Sequence, residues 1–430
     1  MVNFYTDVRC LGNNILFRGI VDGKRVNSRI EYSPSLYLPT RRKSEYKTLF
    51  DEPLERKLFG DIREARDYIK QFDGVSNALN IYGNTRYEYA YIAENYPGMV
   101  EWDLNLLRIA IIDIEVGSEN GFPEPEDANE PITAICVKFV GGKTYVFGCG
   151  DYVTQGDEIY VKCVDEWTLC KRFLQLWSSD YPDIVSGWNV EFFDIPYLVN
   201  RLTKILGEKE VKSLSPWKYI SKKNSVVMGR ELSTYDIAGV DCLDYIQLYK
   251  WYSPEGKSQE SYKLDNIANI ELGEKKLSYD EYDNLHELYR LNFQKFIEYN
   301  IKDVMLILKM DEKLKLLELA VTLAYDTKSN FTDVFAQTRM WDALTYNYLL
   351  ERNIIVPPKE IKEKDSAFEG AYVKDPLIGR HRWIAAFDLD SLYPHLMMQY
   401  SISPENLVER SEIVERKRKL IEELRLRNAK

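Results

Sequence analysis

Apolar positions cluster most densely where Leu106-Leu107-Arg108-Ile109-Ala110-Ile111-Ile112 leads into Asp113-Ile114-Glu115. A run of this kind predicts a strand buried on both faces. Side chains alternate along a strand, so Asp113 and Glu115 share one face and Ile114 turns away. Two neighbouring carboxylates at the end of a buried strand repel each other and lose solvation. Cations between them, or water at a rim, would relieve that cost.

The pattern on either side predicts two styles of structure. Residues 1 to about 104 read as mixed and mainly β at first. Asn14 to Val21, the Asp22-Gly23 turn and Arg25-Val26 predict a hairpin, and Asp61 to Ile69 an amphipathic helix. From 105 to about 330 strands and helices alternate in an α/β manner. Strands are expected at Ile132–Val137, Thr144–Phe147 and Asp183–Trp188, and helices at Trp167–Trp177 and from Ile195. Lys222 to Tyr235 reads as an exposed hairpin, Phe293–Leu319 as a long helix and Trp341–Leu350 as another. Pro357-Pro358 and the charged residues to Asp365 then read as a linker. A second buried strand, Trp383–Phe387, is expected to end in Asp388, and 412–430 to form a charged helix.

Composition changes this picture little. With 430 residues the chain exceeds one ordinary core, and two to three domains are expected. Apolar residues make up 45% and charged residues 29%, as in soluble globular proteins, and no run approaches the ~18 apolar residues of a membrane span. Six cysteines without a Cys-x-x-Cys pair read as reduced core residues, and three histidines argue against zinc. The net charge of −11 excludes a uniformly basic surface, though not a nucleic-acid enzyme whose active site is a cluster of acids.

Such a cluster is spelled out in order along the chain. After Asp113-x-Glu115 comes Gly187-Trp188-Asn189 to Phe193-Asp194, at the junction of a strand and a helix. Then Tyr299 and Asp303 stand four apart on one helical face. Taken singly these have plain readings: solvated strand-end acids, a helix cap and a surface pair. Together, in this order, they suit two divalent cations. Magnesium needs hard oxygen ligands from several elements, and carboxylates supply both charge and geometry. A tyrosine can orient an attacking water but, with a pKa near 10, is a poor general base at neutral pH.

At these residues the chain resembles family B DNA polymerases, of the T-even-type bacteriophage replicative kind. Asp113-Ile114-Glu115, Asn189 to Asp194 and Tyr299-x-x-x-Asp303 are similar to the family's three exonuclease motifs. Asp388-Leu389-Asp390-Ser391-Leu392-Tyr393-Pro394 resembles its first polymerase motif, and Phe368 to Val373 the segment between the two activities. The resemblance implies a ribonuclease H-like 3′–5′ exonuclease domain at 105–330. It also implies an N-terminal domain at 1–104, to which the chain returns at about 331–366, and the start of a palm at 367–430. Two Mg²⁺ ions are implied, with Mn²⁺ as a substitute. Asp113, Glu115 and Asp303 would hold the nucleophile-side ion and Asp113 with Asp194 the other, while Tyr299 would orient water. Phe122, Asn189 and Phe193 would contact the DNA 3′ end. Asp388 and the Leu389 carbonyl would bind metal in the palm, the Ser391 and Leu392 backbone the triphosphate, and Tyr393 would lie under the sugar. Lys222–Tyr235 resembles the hairpin that parts primer from template.

Two departures qualify the resemblance: His395 stands where a small polar residue is usual, and no Lys-x-x-x-Asn-x-x-Tyr-Gly or Asp-Thr-Asp-Ser motif precedes Lys430. The expectation is therefore the N-terminal part of a replicative, DNA-directed polymerase carrying the proofreading exonuclease, acting on DNA in the host cytoplasm. Polymerisation is expected to need a second polypeptide with the remaining motifs, and a sliding clamp would act through the complete enzyme. A stand-alone 3′–5′ exonuclease and a non-catalytic nucleic-acid-binding subunit are the alternatives.

Overall fold

Asp22 and Gly23 both adopt positive φ, 50° and 74°, and this two-residue turn closes the hairpin between Val21 and Lys24 with the right-handed twist that strands require. The computed structural model describes residues 2–72, 80–117, 119, 121, 123–227, 230–256, 258–356, 370, 372–403, 406, 415, 416 and 419. It divides into two compact units, Met1–Glu360 and Ile361–Lys430.

In the first unit, β1 (Phe4–Leu11), β2 (Asn14–Val21) and β3 (Lys24–Glu31) form an antiparallel sheet in that order. A second small sheet has the order β4 (Ser35–Pro39), β6 (Pro53–Leu58), β5 (Tyr46–Lys47). Helices α1 (Ile62–Lys70) and α2 (Tyr87–Asn95) follow, the first capped by the Asp61 side chain on Glu64 N.

The central sheet is built from β7 (Ile109–Val116), β8 (Ile132–Phe139), β9 (Thr144–Gly148), β10 (Ile159–Lys162), β11 (Ile184–Ser186) and a later strand. Between them lie α3 (Glu166–Ser179), α4 (Asp194–Leu206), α5 (Glu208–Val211) and the hairpin β12 (Ile220–Val227) and β13 (Arg230–Ile237). The sixth strand, β14 (Asp241–Cys242), completes the order β10-β9-β8-β7-β11-β14. β8 runs antiparallel to β7 and β9, whereas β11 is parallel to β7 and β14 to β11. Then come α6 (Tyr245–Tyr252), α7 (Leu264–Leu272), α8 (Leu285–Leu291), α9 (Phe293–Leu314), α10 (Leu316–Thr327) and α11 (Gln337–Leu350).

β7 is the centre of this sheet because it is apolar on both faces. Ile109 and Ile111 join a core with Phe296, Ile297 and Val304 of α9. Ala110, Ile112 and Ile114 join another with Leu169, Phe173 and Leu198. Each isoleucine among them contributes about 1.5–3 kcal/mol of transfer free energy, so the register cannot slip by one residue without exchanging both cores. The α9-facing row therefore continues, two residues at a time, into Asp113 and Glu115.

Arginines of the N-terminal sheet hold the central sheet from outside. Arg18 donates to the Pro182 and Tyr181 carbonyls, and Arg25 donates to both oxygens of buried Asp183 at 2.7 Å. After α10 the chain packs back on both N-terminal sheets: the Tyr5 hydroxyl of β1 donates to the Ser329 carbonyl, and Ile355 N to Lys47 O of β5.

Gly187, directly after β11, approaches β7 closely, and a Cβ on it would lie 2.6 Å from the Ile112 carbonyl oxygen. That oxygen is backbone and cannot swing aside. Gly187→Ala should therefore destabilise the first unit by about 1–3 kcal/mol, read as a lower urea midpoint at unchanged slope.

Three expectations need correction in this unit. Leu104–Leu106 form a 3₁₀ turn, so β7 begins only at Ile109. The expected helix 293–319 is two helices, because Lys315 adopts a left-handed φ of 56° and ends α9. Strand Asp183–Trp188 is shorter, since the chain leaves the sheet at Gly187.

In the second unit the expected buried strand Trp383–Phe387 is not formed. Trp383 is 99% and Phe387 95% exposed, and no strand pairs with them among the described residues. An apolar sequence forms a strand only against a neighbour that takes its hydrogen bonds and covers its face. A helix, α12 (Leu392–Tyr400), follows. The expected linker at 357–365 lies outside the described residues. Of the expected helix 412–430 only Glu415, Arg416 and Lys419 are described, as helical, with Lys419 and Glu415 paired at 3.0 Å.

Candidate active site

Asp113, Glu115 and Asp303 each offer a carboxylate oxygen, all within 4.8 Å of one another. The first two come from the end of β7 and the third from α9, which crosses that face of the sheet. Asp194, the first residue of α4, is not one of that group of three, but its charge is felt at Asp113 and its Oδ1 accepts from Ile114 N at 3.0 Å. It is thus no cap of its own helix. Its orientation is set by the loop before it. Asn189 takes a left-handed φ of 65°, a conformation that asparagine tolerates. Buried Asp244 accepts from the backbone of Asn189, Glu191 and Ile246, which pins the loop.

Burial and mutual repulsion dominate the electrostatics. Burial, then the charges of Glu115, Asp303 and Asp194, raise the Asp113 carboxyl well above the usual range. Burial with Asp303 raises Glu115 to about 8, and burial raises Asp194 to about 7. Asp303 is raised by burial too, with Lys276 opposing. Asp303 Oδ1 has no hydrogen-bond partner although it is buried. Several hard oxygens, one of them unpartnered, held together against their own charge, make a donor set that fits divalent cations.

Two residues that the sequence reading missed complete the cluster. Lys276, from the irregular segment after α7, forms a salt bridge with Asp303 and a 3.1 Å hydrogen bond with the Tyr299 hydroxyl. Its ammonium stays protonated, since the surrounding acids outweigh burial. Asn300 donates to Asp113 Oδ2 at 2.6 Å. Asn300 had a signal, lying three residues before Asp303 on the same helix. Lys276 had none, because only the tertiary fold brings its segment to α9. Tyr299 packs edge-on against Tyr279 at 5.5 Å, and burial raises its hydroxyl pKa further, so it stays protonated.

Beside the acids is a pocket of about 420 Å³ lined by Asp113, Trp188, Lys263, Leu264, Asp265 and Lys276. Trp188 is fixed there by donating from Nε1 to the Tyr262 carbonyl at 3.0 Å. Phe193 packs on Tyr197 with ring centroids 5.8 Å apart, and Asn189 lies in the preceding turn. Phe122 lies outside the described residues. Asp388, Leu389, Ser391, Leu392 and Tyr393 belong to the second unit, where all five are exposed. Ser391, at φ 50°, opens α12 and its carbonyl accepts from His395 N.

Comparison with known proteins gives two domain matches. The exonuclease domain of DNA polymerase family B matches residues 77–267, and DNA polymerase family B matches residues 333–428. The DNA-directed DNA polymerase of Escherichia phage RB69 is 34% identical over 439 residues, covering 95% of this chain and 48% of that protein. That of Enterobacteria phage T4 is 31% identical over 435 residues, with the same coverage. The DNA polymerase delta catalytic subunit of Candida albicans is 26% identical over 74% of the chain and 32% of its own length. The chain spans about half the length of the two phage relatives.

Proposed function

We propose, from the premise that this chain belongs to DNA polymerase family B, that its first unit removes 3′-terminal nucleotides from DNA by metal-assisted hydrolysis. The observation that carries this reading is the convergence of Asp113, Glu115 and Asp303 from β7 and α9, with Tyr299 one helical turn away. A ribonuclease H-like assignment draws support from the strand order, with β7 between antiparallel β8 and parallel β11.

In this reading Asp113, Glu115 and Asp303 hold one divalent cation, and Asp113 with Asp194 a second. Cations bound there supply a nucleophile at neutral pH and neutralise charge gathering on the departing oxygen. The protein's own groups do the rest. Water attacks the terminal phosphorus, the bond to the 3′ oxygen breaks, and a 5′-mononucleotide leaves behind a strand with a new 3′-hydroxyl. The Tyr299 hydroxyl orients that water by a hydrogen bond and keeps its own proton. Lys276 holds Asp303 and Tyr299 in register. Asn300 fixes one oxygen of Asp113, and the Ile114 amide one oxygen of Asp194. Asp388, Leu389, Ser391, Leu392 and Tyr393 are assigned to nucleotide addition in the whole polymerase, with DNA as the shared partner. No helix among the described residues is long and apolar enough to cross a membrane.

The test is digestion of a 5′-labelled single strand in Mg²⁺. A ladder shortening one nucleotide at a time from the 3′ end is expected, and an intact strand would overturn the reading.

Metal binding has its own check. Glu115 at about 8 and Asp194 at about 7 titrate above the unfolded values of about 4. The folded state therefore binds more protons between about pH 4 and 8. This contribution to stability is complete below about pH 4 and is lost as pH rises through 7 to 8. Mg²⁺ competes for the same oxygens, so it should raise Tm most at pH 8 and progressively less toward pH 5.5. Calorimetry in Mg²⁺ and in EDTA measures this, and equal Tm at pH 8 would count against the metal site.

A further inference from the structure

Two lysines, Lys263 and Lys276, are among the residues lining the 420 Å³ pocket beside Asp113. Lys276 is committed to Asp303 and Tyr299. Lys263 is exposed and its ammonium has no partner among the described residues. Its position makes no sense as helix support. Lys263 is the N-cap of α7 and offers no side-chain cap, and a cation at a helix N-terminus opposes the dipole. The acidic residue that suits this end, Asp265, is engaged with its carboxylate on Lys276 N at 2.8 Å.

A free cation on a residue lining a pocket walled by Asp113 and Asp265 calls for an anion that is not itself held at the acids. Resting on the exonuclease reading, the scissile phosphate belongs at Asp113, Glu115 and Asp303. The terminal nucleoside beyond it ends in a free hydroxyl and carries no other phosphate. A further phosphate in the same pocket can come only from the linkage on the 5′ side. We propose that Lys263 is a positioning residue that holds the phosphate one linkage 5′ of the bond to be cut. The pocket then grips the strand by backbone charge, which carries no sequence information and suits removal of any terminal base.

The experiment measures binding rather than cleavage, so it stands apart from the nuclease activity. In a D113A/E115A background, anisotropy of a fluorescent single strand gives affinity across a salt series. Adding K263Q should weaken binding by about tenfold, the scale of one charge-assisted hydrogen bond. It should also reduce the salt slope by about 0.7, the value for one phosphate contact on a single strand. K263R should restore most of both. A neutral methylphosphonate at the linkage 5′ of the terminal one should cost the parent the same tenfold and K263Q nothing more. With the acids intact, K263Q should raise KM and leave kcat unchanged. Thermal melting should not fall, because the lysine opposes its helix dipole. Parental affinity and salt slope in K263Q would overturn the proposal, as would penalties that multiply when K263Q meets the methylphosphonate. A nuclease-active D113A/E115A protein would overturn the assignment of the acids while leaving the binding result readable.

Discussion

Replacing Asp113 and Glu115 together by alanine should lower Mg²⁺-dependent release of 3′ nucleotides by at least about a thousandfold. The two carboxylates stand on the same face of β7 and share the cluster with Asp303, so their removal leaves one of three converging oxygens. Metal ions contribute several kcal/mol of charge stabilisation in such reactions, and each ~1.4 kcal/mol is tenfold in rate. The loss should come with no loss of fold. Burial and repulsion raise both carboxyls, so in metal-free buffer the wild type carries unfavourable charge that the double mutant lacks. Tm in EDTA at pH 8 should be equal or higher in the mutant, and its Mg²⁺-induced increase should vanish. A folded double mutant that digests DNA at the parental rate would remove these acids from the site.

Tyr299→Phe should reduce kcat by about 10²–10⁴-fold, the range for a positioned group acting on the reacting water, with little change in DNA affinity. The ring keeps its packing on Tyr279 and only the hydroxyl is lost. Lys276 would lose a 3.1 Å hydrogen bond but keep Asp303, so the acids should hold their places. This separates the tyrosine from its neighbours: Asp303→Asn should also abolish the Mg²⁺ effect on Tm, whereas Tyr299→Phe should preserve it. Single-turnover rates with saturating enzyme give the comparison. Parental rates in Tyr299→Phe would reduce the tyrosine to packing.

Much of this was legible in the residues, and the reason is local. β7 is apolar on both faces, which predicts a central buried strand, and strand geometry alone then puts Asp113 and Glu115 side by side. Tyr299 and Asp303 share a face by helical spacing, and the Asp22-Gly23 turn carries its own φ requirement. Asp194 could be placed near a helix start, but whether it capped that helix or reached the acids depended on the Ile114 amide of another strand.

What the tertiary structure decided is what depends on partners distant in sequence. Lys276 reaches Asp303 and Tyr299 from 27 and 23 residues away through an irregular segment, and no periodicity announces such a contact. The pocket holding Lys263 exists only because α7, the Trp188 turn and β7 converge. Trp383–Phe387 makes the same point from the other side. Its apolar pattern is that of a strand, yet hydrogen bonds and burial must come from a neighbour, and among the described residues none is there. The sequence by itself thus determined which acids share a face, because that follows from the geometry of a single element. Only the folded chain decided what stands opposite them, because burial, charge pairing and strand pairing each need a second surface.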